Sequence, residues 1–149
     1  MLTWSYPAVF DRHDDGEIIV RFPDLPEVLT SGATEQEART NAEDALEEAV
    51  LAYLADDRPV PAPREPRAGE TAVDLPLLTA ARAAVAAAMA AQHVNKMRLA
   101  SLMHRDEKVV RRILDGKGNV KIDNVSAALR VLGVEARLVI EPAHRAPAQ

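Results

Sequence analysis

Residues 95–116 read NKMRLASLMHRDEKVVRRILDG, and this stretch predicts two short helices joined by a sharp turn. Apolar residues recur at helical spacing before and after His104, which interrupts the pattern. Asp106 can begin the second helix, because its carboxylate can accept a hydrogen bond from a free backbone amide. We therefore predict helices over 96–103 and 106–114, with the turn between them.

The second of these helices separates apolar from charged side chains. Its buried side is predicted to carry Val109, Val110 and Ile113, so the opposite side is charged. A charged helix of this kind can reach base edges and phosphates in the major groove of DNA, and lysines in the following loop suit backbone phosphates. The candidate DNA-binding residues are Lys96, Asp106, Glu107, Lys108, Arg111, Arg112, Lys117 and Lys121. The alternative is a plain helical bundle whose basic face is merely solvated.

Charge is distributed unevenly along the 149 residues. Residues 1–75 carry six arginines, no lysine and 17 acidic residues, a net charge of −11. Residues 76–149 carry 12 basic and six acidic residues, a net charge of +6. This asymmetry indicates two different partners, with uneven solvation of one surface as the alternative. The basic half lacks Phe, Trp and Tyr, which argues against base stacking on single strands and favours double-stranded DNA.

The acidic half alternates β-prone segments with turn residues. Strands are predicted over 4–10, 18–22, 28–31 and 71–75, the last pairing back onto the first sheet. Asp14-Asp15-Gly16 favours a hairpin loop after the first strand, and PDLP at 23–26 is expected to break the chain before the third. Thr34 and Glu37 form a capping box that begins a helix, whose apolar face runs from Ala38 to Leu54.

Four prolines between Asp57 and Gly69 exclude a helix there and predict an extended loop. We therefore divide the chain into one domain over residues 1–75, which includes this proline-rich loop over 57–69, and a second over 76–141. Residues 142–149 are predicted to be a disordered tail.

The second domain is predicted to be all-α apart from one short final strand. Further helices are expected over 80–92, capped by Thr79, and over 122–132, and the strand over 135–140. Gly116 and Gly133 stand where helix ends favour a residue with positive φ. Since such small DNA-binding modules usually dimerise to reach two half-sites, we expect a homo-oligomer, a dimer or a tetramer.

Several classes of protein are excluded by composition. The absence of cysteine excludes disulfides and thiolate metal sites, and it fits a reducing cytoplasm. The N-terminus MLTWSYPAVF does not resemble a signal peptide, and the apolar run over 80–91 is shorter than the ~20 residues of a membrane span. We therefore expect a cytoplasmic location and no membrane.

The sequence does not favour a catalytic function. Four aspartates in a two-metal nuclease site are the strongest candidates for such chemistry, namely Asp11, Asp14, Asp15 and Asp24. Asp14 and Asp15 are already explained by the turn, and no strand presents an acid within an apolar run. The histidines at 13, 93, 104 and 144 lack metal-ligand spacing. We therefore expect no catalytic residue, no metal and no cofactor.

Residues 96–134 resemble the Cro and phage-repressor (XRE-like) helix-turn-helix family. The match runs through Leu99-Ala100, Val110, Gly116 and Leu132-Gly133. His104 departs from the pattern, because the family usually has the turn glycine there, and Arg98 replaces an acidic residue near the start of the first short helix.

The N-terminal part resembles the HicB antitoxin family. The matching residues are Tyr6-Pro7-Ala8, GEIIVRFPDLP at 16–26, Ser31-Gly32-Ala33-Thr34, Glu37-Ala38 and Asn41-Ala42. The chain from LPLLTAARAAVAAAM to EARLVIE, residues 75–141, is similar to the longer HicB proteins that end in a helix-turn-helix. Glu27 departs from the pattern, since the family commonly has glycine after the second proline.

The resemblance implies an α+β chain whose first part is a partly formed, non-catalytic ribonuclease H-like βββαβ domain. It implies neutralisation of a small HicA-type messenger-RNA endoribonuclease toxin, and repression of the toxin–antitoxin promoter by the helix-turn-helix domain. Charge agrees, because an acidic domain can cover the basic surface that an RNA-cleaving toxin presents to phosphates. The candidate toxin-binding residues are Asp24, Glu43, Glu47 and Glu48.

The alternative is a DNA-binding regulator without a toxin partner. In that case the N-terminal domain senses a small molecule. Trp4, Tyr6 and Phe22 are the candidates to line its pocket, although we expect these aromatic residues to belong to the core. A neighbouring gene for a small basic protein favours the antitoxin, and a neighbouring metabolic gene favours the sensor.

Overall fold

The computed structural model describes residues 2–142, which form a four-stranded antiparallel sheet covered by one long helix, followed by four shorter helices. The elements are β1 (Ser5–Arg12), β2 (Ile18–Phe22), β3 (Leu25–Gly32), α1 (Glu35–Ala55), β4 (Thr71–Asp74), α2 (Leu77–Gln92), α3 (Lys96–Met103), α4 (Glu107–Leu114) and α5 (Ile122–Val131). The order of strands in the sheet is β3-β2-β1-β4. The α+β class and the βββαβ order of the first part are confirmed.

The third strand is longer than predicted. Pro23 and Asp24 form a tight turn, Phe22 pairs directly with Leu25, and β3 begins there. The expected break over 23–26 is therefore wrong for Leu25 and Pro26. Proline is tolerated at this place because β3 is an edge strand, so one side of its backbone needs no hydrogen-bond donor.

Helix α1 begins where its cap predicts. The Thr34 hydroxyl oxygen accepts a hydrogen bond from the backbone amide of Glu37 at 3.1 Å. One face of α1 is buried on the sheet, through Ala38, Ala42, Leu46, Val50 and Leu54. A Cβ atom at Gly32 would lie 2.7 Å from the Cα atom of Ala38, so only glycine lets the end of β3 approach the first turn of α1.

The proline-rich loop is fixed against the sheet. The Tyr6 hydroxyl donates a hydrogen bond to the carbonyl oxygen of Pro61 at 2.6 Å. The Arg64 guanidinium lies 2.8 Å from carboxylate oxygens of both Asp24 and Glu70. The chain then returns to the sheet as predicted, because β4 pairs antiparallel with β1, from Ser5 opposite Asp74 to Ala8 opposite Thr71.

Helices α2 to α5 surround a second core, to which Val85, Leu99, Val110 and Ile113 contribute. Helix α2 starts at Leu77 rather than at residue 80. The ring of Pro76 fixes the backbone φ of Pro76 itself, and a helix can begin directly after it. Thr79 is therefore not a cap. No single helix within residues 2–142 is long and apolar enough to cross a membrane, and α2 and α3 meet that criterion only together, across a 106° bend.

The final predicted strand is absent from the single chain. Residues 135–142 have no regular secondary structure, so the strand over 135–140 is wrong here. A strand satisfies its backbone groups through a neighbouring strand, and none lies beside this segment within the described part of the chain. The tail predicted over 142–149 and His144 lie outside the described residues, apart from position 142.

Candidate functional site

Helices α3 and α4 meet at a tight turn. Asn95 caps α3 by accepting a hydrogen bond from the amide of Arg98 at 2.7 Å, and Asp106 caps α4 by accepting from the amide of Lys108 at 3.2 Å. His104 ends α3 in the left-handed conformation, with φ 53° and ψ 44°. Histidine can adopt this conformation, so the turn that glycine usually makes is also made by His104.

The outer face of α4 is basic and exposed. Val110, Ile113 and Leu114 are buried in the second core, which leaves Lys108, Arg111 and Arg112 in solvent. Glu107 accepts a hydrogen bond from Arg111 at 3.0 Å, one helical turn away. Such an exposed pair stabilises a helix by only ~0.3–0.5 kcal/mol, so the guanidinium of Arg111 can readily exchange the carboxylate of Glu107 for a phosphate. We call Lys108, Arg111 and Arg112 the basic face.

The remaining DNA-binding candidates differ in their surroundings. Lys117 and Lys121 are exposed in the loop that follows α4. Lys96 is half-buried, and its ammonium group lies 3.1 Å from a carboxylate oxygen of Asp57, just after α1. Asp106 uses its carboxylate as a helix cap. Lys117 and Lys121 therefore have no side-chain partner within residues 2–142, whereas Lys96 and Asp106 already have intramolecular partners.

Arg82 was not singled out as a site residue, although it holds the loop that carries Lys117. Its side chain is almost fully buried, and its Nη2 atom donates a hydrogen bond to the carbonyl oxygen of Gly118 at 2.8 Å. Its Nη1 atom lies 3.9 Å from the carboxylate of Asp115. The signal in the sequence is that Arg82 is the one charged residue between positions 75 and 95.

Helix α1 also touches this loop directly. Gly116 has φ 69°, and a Cβ atom there would lie 3.1 Å from the Cδ2 atom of Leu51. Gly116 thus ends α4 with the predicted positive φ and also permits close packing against α1. The position of the loop is set by the sheet-bound helix as well as by α2.

The four candidate toxin-binding carboxylates differ in whether another side chain of the same chain already binds them. Glu47 accepts a hydrogen bond from the buried hydroxyl of Thr79 at 2.7 Å, which joins α1 to α2. Asp24 is ion-paired with Arg64 in the proline-rich loop. Glu43 and Glu48 are exposed on α1 and have no ion-pair partner among the described residues. Of the four candidates, only Glu43 and Glu48 therefore lack a side-chain partner within residues 2–142.

Arg64 lowers the pKa of Glu70, a residue for which the sequence predicts no role. Hydrogen bonds from the Arg64 side chain and from the backbone amide of Arg67 lower the pKa of Glu70 to about 2. Arg64 and Glu70 therefore stay charged together over the whole physiological range. Their pairing fixes the loop between α1 and β4.

The aromatic residues Trp4, Tyr6 and Phe22 belong to the hydrophobic core, as expected. Tyr6 and Phe22 are fully buried in the core, and Trp4 packs against it. Burial also raises the pKa of the Tyr6 hydroxyl above its ordinary value. A cavity of about 620 Å³ lies elsewhere, between the end of α1 and helices α2 to α4, with Leu54 and Met89 in its largely apolar wall.

Three of the four aspartates of the alternative nuclease site make separate local contacts. Asp11 lies 3.6 Å from Arg21, Asp15 accepts a hydrogen bond from the amide of Glu17, and Asp24 pairs with the proline-rich loop. Within residues 2–142, no three His, Cys, Asp or Glu side chains lie close enough together to hold a metal ion.

The chain is similar to known antitoxins over most of its length. The family model described as "HicB_like antitoxin of bacterial toxin-antitoxin system" matches residues 5–84, from β1 into α2. Antitoxin HicB 2 of Photorhabdus laumondii is 36% identical over 90% of this chain and 94% of its own length, and antitoxin HicB 1 of the same organism is 34% identical over 91% and 86%. Antitoxin HicB of Escherichia coli K12 is 30% identical over 91% of this chain and 98% of its own length. These relatives are named as antitoxins and not as enzymes.

Proposed function

The chain belongs to the HicB-like family of bacterial antitoxins, and from this premise we propose that it neutralises a HicA-type messenger-RNA endoribonuclease toxin and represses its own operon. One observation carries the proposal. The matched region coincides with the acidic, sheet-containing part of the chain, whereas the exposed basic face lies on the helices that follow it. The acidic part suits a basic partner such as an RNA-cleaving toxin, and the basic face suits the phosphates of DNA.

Toxin neutralisation is assigned to the acidic part, which we propose to be a partial ribonuclease H-like fold because of its βββαβ order. Glu43 and Glu48 are the first contacts we propose, since their carboxylates are free. Asp24 and Glu47 can join them only if the toxin displaces Arg64 and Thr79. A basic toxin surface provides cations that can do so.

Operator binding is assigned to α3, the turn at His104 and α4, which we propose to be a helix-turn-helix with α4 in the major groove. Lys117 and Lys121 then contact phosphates beside it. One such domain binds DNA weakly, so we propose that the working unit is a homo-oligomer that spans two half-sites roughly 34–36 Å apart.

The division of labour predicts the behaviour of one double variant. Arg111→Ala with Arg112→Ala removes two of the three cations of the basic face, and we expect it to abolish a mobility shift on the upstream promoter. Growth rescue on co-expression with the adjacent toxin gene should stay intact, because both residues lie outside the acidic part. Arg130→Ala, an exposed arginine on α5, is the matched control. Loss of rescue in the double variant would contradict the division.

The loop lysines are expected to act on every DNA sequence alike. Lys117→Ala and Lys121→Ala each remove one phosphate contact, so the slope of log binding constant against log salt concentration should flatten by ~0.9. Titrations of operator and unrelated DNA at several salt concentrations measure this slope. If the slope does not change for a variant, its lysine does not contact phosphate.

A ligand-sensing regulator remains the second candidate, and the 620 Å³ cavity is the observation that favours it. Its position between the end of α1 and helices α2 to α4 would let an apolar small molecule alter how the two parts pack. Co-expression with the adjacent gene distinguishes the two functions. A sensor binds promoter DNA but does not rescue growth with any adjacent gene product.

A further inference from the structure

Arg82 places a buried charge in the middle of the apolar helix α2. Its side chain is only 3% exposed. One of its two terminal nitrogens, Nη1, is buried and makes no hydrogen bond within residues 2–142. A buried guanidinium whose hydrogen bonds are incomplete destabilises a fold relative to an apolar side chain of similar size. Core packing alone therefore does not account for an arginine at this position.

Arg82 attaches the loop between α4 and α5 to α2. Its Nη2 atom donates to the carbonyl oxygen of Gly118 at 2.8 Å, and within residues 2–142 this is the one hydrogen bond that joins residues 116–120 to another element. Gly116 and Gly118 both have positive φ, 69° and 64°. Because glycine loses more conformational freedom on ordering than any other residue, this loop needs an external contact to keep one conformation.

The second arm of the guanidinium faces Asp115. The Nη1 atom lies 3.9 Å from Oδ1 of Asp115, and the same oxygen accepts a hydrogen bond from the backbone amide of Lys117 at 2.9 Å. Arg82 therefore contacts the chain just before and just after Lys117, whose own side chain is exposed. Its positive charge also offsets the carboxylate of Asp115, which would otherwise repel a phosphate close to Lys117.

We propose that Arg82 is a positioning residue for DNA binding, which holds residues 115–118 from the interior in the conformation that presents Lys117 to a phosphate. This inference rests on the proposed operator binding and adds to it a residue that lies behind the DNA-binding surface. A loop that is ordered before DNA arrives loses less conformational entropy on binding, so it binds more tightly. Arg82 itself does not touch DNA, because its guanidinium is buried.

A double-mutant cycle on promoter DNA separates positioning from general stability. Arg82→Met replaces the guanidinium with an apolar side chain, a kind of change that buried charged sites tolerate. We expect it to weaken binding to a fragment of the upstream promoter several-fold and to flatten the salt slope, as Lys117→Ala does. Added to Lys117→Ala, it should cause no further loss, because the contact that Arg82 positions is already absent.

Lys121 is the matched control for Lys117. It is also exposed, and its carbonyl oxygen accepts hydrogen bonds from the amides of Asn124 and Val125 at 3.0 and 3.3 Å. Its backbone is therefore fixed by the first turn of α5 and not by Arg82. Added to Lys121→Ala, Arg82→Met should cause its full several-fold loss. Equal losses in the two lysine backgrounds would show that Arg82 only stabilises the fold, and would overturn the proposal.

Arg82→Lys keeps the proposal testable if Arg82→Met does not fold, which urea unfolding of each variant shows. Lysine keeps the charge and can donate to the carbonyl oxygen of Gly118, but it lacks the second arm of the guanidinium. Its loss of affinity should be smaller than that of Arg82→Met and should again require Lys117. A loss that is the same with and without Lys117 would contradict the positioning role.

Amide hydrogen exchange in the DNA-free protein tests whether Arg82 orders the loop. The amide of Lys117 should exchange faster in Arg82→Met, whereas the amides of α5 should keep their wild-type rates. Unchanged exchange at Lys117, with a normal mobility shift of the wild-type chain, refutes the role of Arg82 and leaves operator binding intact. If the wild-type chain gives no mobility shift on promoter DNA, the proposed operator binding fails, and the role of Arg82 in it is refuted as well.

Discussion

Arg64 shows how a single residue can fix a segment that looks like a linker. Its guanidinium reaches Asp24 in the turn before β3 and Glu70 just before β4, each at 2.8 Å. Arg64 thereby attaches the proline-rich loop to the turn before β3, through Asp24, and to the segment just before β4, through Glu70. Asp24, which the sequence marked as a toxin contact, is first of all part of this internal network.

The network predicts a specific dependence of stability on pH. The folded-state pKa of Glu70 is about 2, below its ordinary value of 4.5, so its contribution is fully present above pH 4.5 and is lost as the pH falls toward 2. Glu70→Gln should therefore flatten the decline of the urea midpoint between pH 4.5 and pH 2. Glu65→Gln, exposed in the same loop, is the control. Equal declines in wild type and Glu70→Gln would contradict the role of this pair.

β3 and α1 approach each other closely at their junction. Gly32 lies against the backbone of Glu37 and Ala38 in the first turn of α1, and its own φ is not in the left-handed region. Glycine is required here for space and not for conformation. The sequence Ser31-Gly32-Ala33-Thr34 thus combines a close approach with a helix cap.

Gly32→Ala is expected to destabilise the fold. The added methyl group meets backbone atoms that cannot move aside, so the loss should be at least the ~1–3 kcal/mol typical of overpacking. Gly118→Ala is the control, since it meets open space at φ 64° and should lose only the ~1–2 kcal/mol of left-handed strain. Urea unfolding of both variants measures the difference. A Gly32→Ala protein as stable as wild type would show that the junction can relax.

Over the whole molecule, α1 links the two cores. Glu47 binds Thr79, Leu51 packs against Gly116, and Asp57, just after α1, pairs with Lys96, so α1 and the residues at its end contact the helical half. Helix α2 takes part in both cores, because Ala83 packs in the first core and Val85 in the second. The acidic and basic parts of the chain therefore pack directly against each other.

This arrangement predicts where the chain can be shortened. A fragment of residues 1–69 lacks β4, which leaves β1 unpaired on one side, so it should fail to fold and to bind the toxin. A fragment of residues 1–84 keeps β4 and Ala83 and should retain the sheet. Far-ultraviolet circular dichroism and thermal melting distinguish the two. Cooperative melting of the shorter fragment would show that β4 is dispensable.

The sequence by itself determined the elements that depend on near neighbours. The cap at Thr34, the bounds of α3 and the left-handed turn at His104 follow from hydrogen bonds that span three to five residues. Such bonds are readable from residue order, because propensity and capping act locally. Charge asymmetry and the basic face of α4 were readable for the same reason, since they need only composition and periodicity.

Tertiary structure alone decided which of the charged candidates are free. The bonds of Glu47 to Thr79, Arg82 to Gly118 and Lys96 to Asp57 span 32, 36 and 39 residues. No local pattern selects one partner over another at such separations, because the choice depends on how whole elements pack. The segment over 135–140 has the local pattern of a strand but no neighbouring strand among residues 2–142. A strand forms only when a second backbone lies beside it.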